Sequence, residues 1–162
     1  MKNKLLVSAC LLGINSKYNG ENNINHLLVE NCPELNIIPF CPEQIGGLPT
    51  PRNACEIANG MTGKDVLEGN AKVMDNEGND VTHQFVMGAK EALNIAKLQN
   101  VVYAILKKRS PSCGCNYIYD GSFQGNLHQG NGVTAELFQA NGIKTFTEDD
   151  ISEELLRRLK ND

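Results

Sequence analysis

The stretch VVYAILKKRSPSCG (residues 101–114) predicts the fold of this 162-residue chain. Residues 101–106 are apolar and rich in β-branched and large side chains, which is typical of a buried strand. Pro111 cannot continue a strand ladder and Gly114 permits a tight turn, so we expect the chain to leave the sheet there. Cys113 would then lie beyond the carboxyl end of a strand, the edge of an open α/β sheet where ligands bind.

Two other cysteines follow apolar runs in the same way. Cys10 comes after residues 5–9, and Cys41 comes after residues 36–40. The carboxyl ends of neighbouring parallel strands meet at one edge of a sheet. If the three runs are such strands, the three thiols converge on one crevice, and this convergence is the central prediction of the sequence.

The remaining periodic segments predict helices that cover this sheet. Residues 82–98 place Phe85, Ala89, Ala92 and Ala96 on one helical face. Because the strand at 101–106 follows at once, this helix and strand form the second half of a βαβ unit. Shorter helices are expected at 24–30, at 133–140 and after residue 147. With a length that suits one core, the sequence predicts a single three-layer α/β domain over residues 1–162, with a mainly parallel, Rossmann-like sheet.

Several smaller elements are expected around this sheet. Glycines and prolines interrupt residues 41–52, which predicts an irregular loop. Residues 55–58 predict a short edge strand, and residues 71–74 predict a hairpin arm followed by a turn. Residues 117–123 predict a hairpin that is closed by a primed turn at Asp120-Gly121. Residues 144–146 predict a brief last strand.

Composition and charge narrow the class of protein. The net charge of −4 argues against nonspecific nucleic-acid or membrane-surface partners, which require a basic face. No apolar stretch approaches the ~20 residues that span a bilayer. Residues 1–7 weakly resemble the start of a signal peptide, but their apolar run is short. We interpret this run as the first core strand, with a cytoplasmic protein as the consequence.

The six cysteines have more than one interpretation. An even number permits a disulfide framework, although such frameworks are typical of small secreted domains. In a reducing compartment, cysteines are more often ligands, nucleophiles or small core residues. We expect Cys32, Cys55 and Cys115 to be core residues, with a spare or resolving thiol as the alternative for Cys115. The three histidines (His26, His83 and His128) belong to no recognisable constellation.

Sulfur-only ligation by Cys10, Cys41 and Cys113 would select zinc, copper(I) or an iron–sulfur cluster. The absence of a Cys-x-x-Cys pair and of an evident fourth ligand in the sequence argues against structural zinc. Three thiolates would leave one iron of a cubane cluster open, and an open metal position can bind a substrate atom. A metal-free fold with incidental thiols is the alternative.

Polar residues near these cysteines are candidates for catalysis and substrate binding. Glu43 follows Cys41 closely and suits a general base, although it could instead pair with Arg52. Ser110 and Ser112 suit hydrogen bonding or proton relay, with ordinary turn residues as the alternative. Arginines of this region can offset thiolate charge or receive an anionic substrate group. We interpret the lysines at 107 and 108 as a solvated strand end, and the glycines at 46 and 47 form no phosphate-binding fingerprint.

Three segments of the sequence resemble the thiouracil desulfidase family. They are SACLLG (8–13), CPE (41–43) with GGLPTPR (46–52), and RSPSCG (109–114). The resemblance implies a [4Fe-4S] cluster held by Cys10, Cys41 and Cys113, and non-redox removal of sulfur from a thiolated pyrimidine. The open iron would take the thiocarbonyl sulfur, and water would attack the carbon with the help of Glu43 and Ser110. On this basis Arg52, Arg109 and Ser112 are candidates for substrate binding.

The chain departs from the family pattern in two segments, both of which we expect at the pocket. Residues 16–20 read SKYNG where the family often carries Cys-Arg-Tyr-Asp-Gly, and residues 53–56 read NACE where Pro-Pro-Ala-Glu is usual. The resemblance implies a small thiolated nucleobase or nucleotide as the substrate, and these two segments leave open which one it is. An exposed cluster is prone to oxidation and can be lost from protein prepared in air. The alternative function is a non-catalytic thiol or iron–sulfur module, namely a persulfide carrier or redox sensor.

Overall fold

The structure is a computed structural model that describes residues 3–162. The first two residues of the segment considered as a signal start lie outside the described residues. In chain order the strands are β1 (Lys4–Ser8), β2 (Asn36–Phe40), β3 (Cys55–Ile57), β4 (Val73–Asp75), β5 (Tyr103–Leu106), β6 (Tyr117–Tyr119), β7 (Leu127–Gln129) and β8 (Lys144–Thr147). The α-helices are α1 (His26–Asn31), α2 (Pro42–Ile45), α3 (Gly63–Leu67), α4 (Thr82–Leu98), α5 (Val133–Ala140) and α6 (Glu153–Asn161).

A parallel sheet of four strands, in the order β2-β1-β5-β8, forms the centre of the fold. This confirms the predicted mainly parallel α/β architecture. The chain crosses from β1 to β2 on one side and later returns to β5 on the other side of β1. The sheet therefore has a topological switch point between β1 and β5, which is the position where open α/β sheets bind ligands.

Helices cover both faces of this sheet. Leu6 and Leu106 pack in one apolar cluster with α4 and α5. Val7 and Ile105 are their neighbours along the same strands, and they pack in a second cluster with α1 and α6. Because successive side chains of a strand point to opposite faces, these apolar runs are buried on both sides. The predicted three layers are therefore confirmed.

Helix α4 has the bounds that its apolar stripe predicts. Its backbone also contacts the backbone of α2. A Cβ atom added to Gly88 would lie 1.9 Å from the carbonyl oxygen of Pro42, and one added to Gly46 would lie 2.0 Å from the carbonyl oxygen of Gln84. Two glycines thus let α2 rest directly on α4. The prediction that residues 41–52 are irregular throughout is wrong at α2, where Pro42 occupies a first-turn position that tolerates proline.

Two small antiparallel sheets flank the carboxyl edge of the main sheet. Strands β3 and β4 form one of them, as the edge strand and hairpin arm predict. Strands β6 and β7 form the other, but residues 120–126 join them instead of the predicted primed turn at Asp120-Gly121. This longer connection is held against β3, where the backbone N–H groups of Gly121 and Phe123 bond to Glu56. No helix in the described part of the chain is long and apolar enough to cross a membrane.

Candidate functional site

The three predicted cysteines meet at the carboxyl edge of the main sheet. Cys10 lies in a single 3-10 turn directly after β1, Cys41 directly follows β2, and Cys113 lies in the loop after β5. All three line one cavity of about 730 Å³. The Ser8 hydroxyl accepts a hydrogen bond from the backbone N–H of Lys107 at 2.9 Å, which ties the ends of β1 and β5 together. The parallel sheet thus produces the convergence that the sequence predicts.

Burial raises the pKa of all three thiols. Desolvation is the largest cause for Cys10, Cys41 and Cys113, and it raises the pKa of the buried Cys113 well above the usual value. Nearby positive charges offset only part of this increase in pKa: Lys107 lowers the pKa of Cys10, and Arg52 lowers that of Cys41. Because thiolates rather than thiols ligate metals, a bound metal group would displace these protons. None of the six cysteines is in a disulfide.

The sulfur-only donor set of these three thiols is the feature that bears on the kind of metal group they can hold. Within residues 3–162, no three or more His, Cys, Asp or Glu side chains stand close enough together to hold one metal ion. Sulfur ligands around one zinc lie about 3.8 Å apart, given its Zn–S bond length. The cysteines of a cubane cluster each bind a different iron and stand farther apart. A sulfur-only donor set on three separate strand ends therefore fits an iron–sulfur cluster.

A chain of hydrogen bonds runs from a carboxylate through two serines in the same cavity. Glu43 Oε2 accepts a hydrogen bond of 2.8 Å from the Ser112 hydroxyl, and the oxygens of Ser112 and Ser110 lie 2.9 Å apart. Since Ser112 donates to Glu43, the hydrogen between the two serines belongs to Ser110. The Ser110 oxygen also accepts from the backbone N–H groups of Ser112 and Cys113, at 3.1 Å each. The loop after β5 therefore orients the Ser112 hydroxyl towards Glu43 and the Ser110 hydroxyl towards Ser112.

Arg52 organises this site from within the protein. Its Nε donates to Glu43 Oε1 at 3.0 Å, and the two side chains are only 5 % and 13 % exposed. The remaining N–H groups donate to carbonyl, hydroxyl and sulfur atoms of other residues: Ser16, Pro49, Thr50 and Cys41. These contacts occupy the guanidinium, so the geometry favours a positioning role over the predicted substrate-binding role. Glu43 therefore does pair with Arg52, as one interpretation of the sequence expects. Its other carboxylate oxygen faces Ser112 in the cavity, where it remains placed for catalysis.

The three basic residues after β5 differ in burial and in their partners, since the two lysines form ion pairs and the arginine is exposed. Lys107 bonds to Glu148 at 3.1 Å and Lys108 bonds to Asp149 at 2.7 Å, and both lysine side chains are partly buried at the cavity. The prediction of a solvated strand end is therefore wrong, because an acidic 3-10 turn after β8 packs over them. Arg109 is exposed at the cavity wall, with a left-handed backbone (φ 68°).

Several lining residues were not among the predicted site residues. Cys55, expected in the core, lines the cavity, and burial raises its pKa to about 12, with the charges of Glu43 and Asp75 adding to the effect. Both segments that depart from the family pattern do contribute to the wall, as expected. Other lining residues carry no sequence motif: Asn23, Tyr119, Phe123 and Gly125.

The remaining cysteines and the histidines lie away from the cavity wall. Cys115 is buried in the core, as predicted. Cys32 is only half-buried, and its thiol donates to the carbonyl of Leu28 within α1. The three histidines do not contribute to the cavity wall either, which agrees with their assignment as surface or core residues.

Comparisons with known proteins identify the family and the fold of this chain. A family model described as 2-thiouracil desulfurase matches residues 5–150. The uncharacterized protein YbbK of Bacillus subtilis (strain 168) is 41 % identical over 149 residues, which cover 92 % of this chain and 98 % of that protein. The solved structure of the [4Fe-4S]-dependent thiouracil desulfidase TudS is similar, with a TM-score of 0.83 and 38 % identity. That likeness covers 99 % of this chain and 100 % of the TudS chain.

Proposed function

The chain belongs to the 2-thiouracil desulfurase family, and from this premise we propose that it is an enzyme that hydrolyses the C=S bond of a thiolated pyrimidine. Water supplies the oxygen of the new C=O bond, its two protons leave with the sulfur as hydrogen sulfide, and no external electron donor takes part. The substrate is a 2-thiouracil-like base or a thiouridine nucleotide. The observation that carries this proposal is the placement of the Glu43-Ser112-Ser110 chain in the cavity of the three thiols.

Cys10, Cys41 and Cys113 are the proposed ligands of a [4Fe-4S] cluster. They supply a sulfur-only donor set from three strand ends, and the similar TudS structure is that of a [4Fe-4S]-dependent enzyme. When bound, such a cluster with three protein ligands supplies a Lewis-acidic iron with one position open to a sulfur atom. Lys107 and Arg52 lie near two of the thiols and offset the charge of their thiolates.

Glu43 is the proposed general base. Its carboxylate takes a proton from the attacking water, and the ion pair with Arg52 fixes its orientation. Ser110 donates to Ser112 and Ser112 donates to Glu43, so this path can also carry a proton from water towards the carboxylate, and the protonated Glu43 can then return it to the departing sulfur. Ser112 lines the cavity but is only 1 % exposed and donates to Glu43, so its proposed role is to hold the carboxylate in place beside the substrate. Arg109 is exposed at the wall and suits an anionic substituent of the substrate, such as a phosphate.

The first test measures iron and acid-labile sulfide after anaerobic reconstitution. We expect about four irons per wild-type chain, and close to none in a variant with Cys10, Cys41 and Cys113 replaced by alanine. Cys32→Ala is the matched control, because that thiol lies outside the cavity, and it should load like the wild type. A folded wild-type chain that takes up no iron would overturn the proposal.

The second test follows sulfide release and loss of thiouracil absorbance by the reconstituted protein. Glu43→Gln should keep the iron and lose turnover by about 10²- to 10⁴-fold, the usual range for a general base. Ser112→Ala should also keep the iron and slow turnover. If the wild type loads iron but desulfurates no thiopyrimidine base, nucleoside or monophosphate, the protein is a non-catalytic iron–sulfur or thiol module instead.

We also propose that residues 1–162 act as a single desulfidase-like domain in the cytoplasm. The support for this location is the set of six free cysteines, since thiols persist in reducing compartments.

A further inference from the structure

An aromatic side chain at the cavity has no part in the chemistry described above. Phe123 lies in the loop of residues 120–126 between β6 and β7, lines the cavity, and remains 38 % exposed. Its backbone is left-handed, with φ at 58°. A bulky residue in this conformation is uncommon and strained, so surrounding contacts must hold it there.

Glu56 holds this loop in place. It is nearly buried in β3, and its Oε1 accepts hydrogen bonds from the backbone N–H groups of Gly121 (3.0 Å) and Phe123 (3.1 Å). Gly121 packs so closely on β3 that an added Cβ would lie 2.5 Å from the carbonyl oxygen of Ile57. The backbone is therefore anchored at Gly121 and at the N–H group of Phe123 itself.

The anchored ring is a flat apolar surface in a cavity that is also lined by Cys10, Cys41, Cys113 and Glu43. Leaving such a ring exposed to water does not stabilise the fold, because apolar side chains stabilise a protein when they are buried. A planar heterocycle that stacks on the ring would remove this apolar surface from water.

We propose that Phe123 is the residue on which the pyrimidine ring of the substrate stacks, and that Glu56 is the positioning residue that presents it. This inference rests on the proposed function and adds a substrate contact to it. Stacking on an aromatic side chain tolerates any planar base. Phe123 would therefore orient the ring and contribute affinity, while other groups determine which thiolated pyrimidine is accepted.

A binding experiment tests the contact without turnover. The chain has no tryptophan, so Phe123→Trp introduces a single tryptophan, whose emission reports on this position when excitation is set where tyrosine does not absorb. Titration with uracil, the oxo product, should quench this emission saturably. Tyr117→Trp places the fluorophore on β6 of the same hairpin but outside the cavity wall, and it should show no saturable quenching. Equal responses of the two variants, or no saturable response of Phe123→Trp, would overturn the proposal.

Kinetics of the reconstituted enzyme provide the second readout. Phe123→Leu should load iron normally and lose about 5- to 50-fold in kcat/KM, mainly through KM, as expected for a lost stacking contact. Phe123→Tyr keeps the ring and should recover most of this loss, whereas Tyr117→Leu, outside the cavity wall, is the control that should leave KM unchanged. Glu56→Ala should raise KM in the same way, whereas Glu56→Gln keeps an acceptor oxygen and should restore it.

The outcomes separate this inference from the proposed function. If the wild type desulfurates thiouracil and Phe123→Leu matches it in KM, the stacking role fails and the proposed function stands. If uracil quenches Phe123→Trp saturably while the loaded wild type releases no sulfide, the stacking role stands and the desulfidase proposal fails.

Discussion

The ion pair between Arg52 and Glu43 gives a sharp prediction for stability. Arg52→Met keeps much of the side-chain volume but removes the guanidinium, which leaves the Glu43 carboxylate without its cation. The pair joins Nε and Oε1 at 3.0 Å, and the side chains are 5 % and 13 % exposed. At an effective dielectric constant near 20, two unit charges at this distance attract by about 5 kcal/mol before desolvation is considered.

Removing one partner of a buried pair typically costs about 3–5 kcal/mol. We expect Arg52→Met to lower the free energy of unfolding of the metal-free protein by this amount. The double variant Arg52→Met/Glu43→Gln should recover about 1–3 kcal/mol, because it no longer buries a lone charge. Lys64 and Glu68 offer a matched control: they form an exposed pair at 4.0 Å, and Lys64→Met should cost less than about 0.5 kcal/mol.

Urea unfolding followed by far-UV circular dichroism measures all four proteins, in a reducing buffer that keeps the thiols free. Repeating the titration in 1 M NaCl adds a second criterion, since salt screens exposed pairs and has little effect on buried ones. A loss below about 1 kcal/mol for Arg52→Met, or a loss that disappears in high salt, would show that the pair behaves as a surface contact. The positioning role of Arg52 would then be wrong.

Two further predictions concern elements that support the site. Hydrogen bonds from the Asn79 side chain and backbone, together with those from Asn53 and Glu77, lower the pKa of Asp75 from 3.8 to about 2. The folded pKa lies below the unfolded one, so this stability is complete above pH 4 and is lost as the pH falls to about 2. Asp75→Asn should therefore flatten the acid limb of a plot of unfolding free energy against pH. Gly88→Ala should cost about 1–3 kcal/mol and lower iron uptake, because its Cβ would push α2 and its neighbour Cys41 away from α4, whereas Lys90→Ala on the exposed face should do neither.

The main sheet and the meeting of the thiols could be predicted because their causes are local. Residues 5–7, 37–40 and 104–106 are apolar along both strand faces, which is typical of parallel strands whose sheet is covered on both sides. The bounds of α4 follow from its stripe in the same way. Once the strands are parallel neighbours, the positions of Cys10, Cys41 and Cys113 follow from their places after each strand.

Features that depend on distant partners could not be predicted. Helix α2 has only four residues and takes its support from Gly88 of α4. Lys107 looks like a solvated strand end until Glu148, 41 residues later, packs beside it. The place of Phe123 depends on a buried carboxylate 67 residues earlier in the chain. No local pattern of residues predicts such contacts between residues that are far apart in the sequence.

The order of strands in the sheet also has a consequence for biosynthesis. Strand β1 is made first, yet it occupies an interior position whose second partner, β5, begins only at Tyr103. Cys10 and Cys113 lie 103 residues apart, so a ribosome needs roughly 5–20 s to make the second after the first. Until then the edge of β1 that β5 will cover stays unpaired in the nascent chain. The three thiols can come together only when most of the polypeptide has been synthesised, which makes loading of the site a step that follows translation.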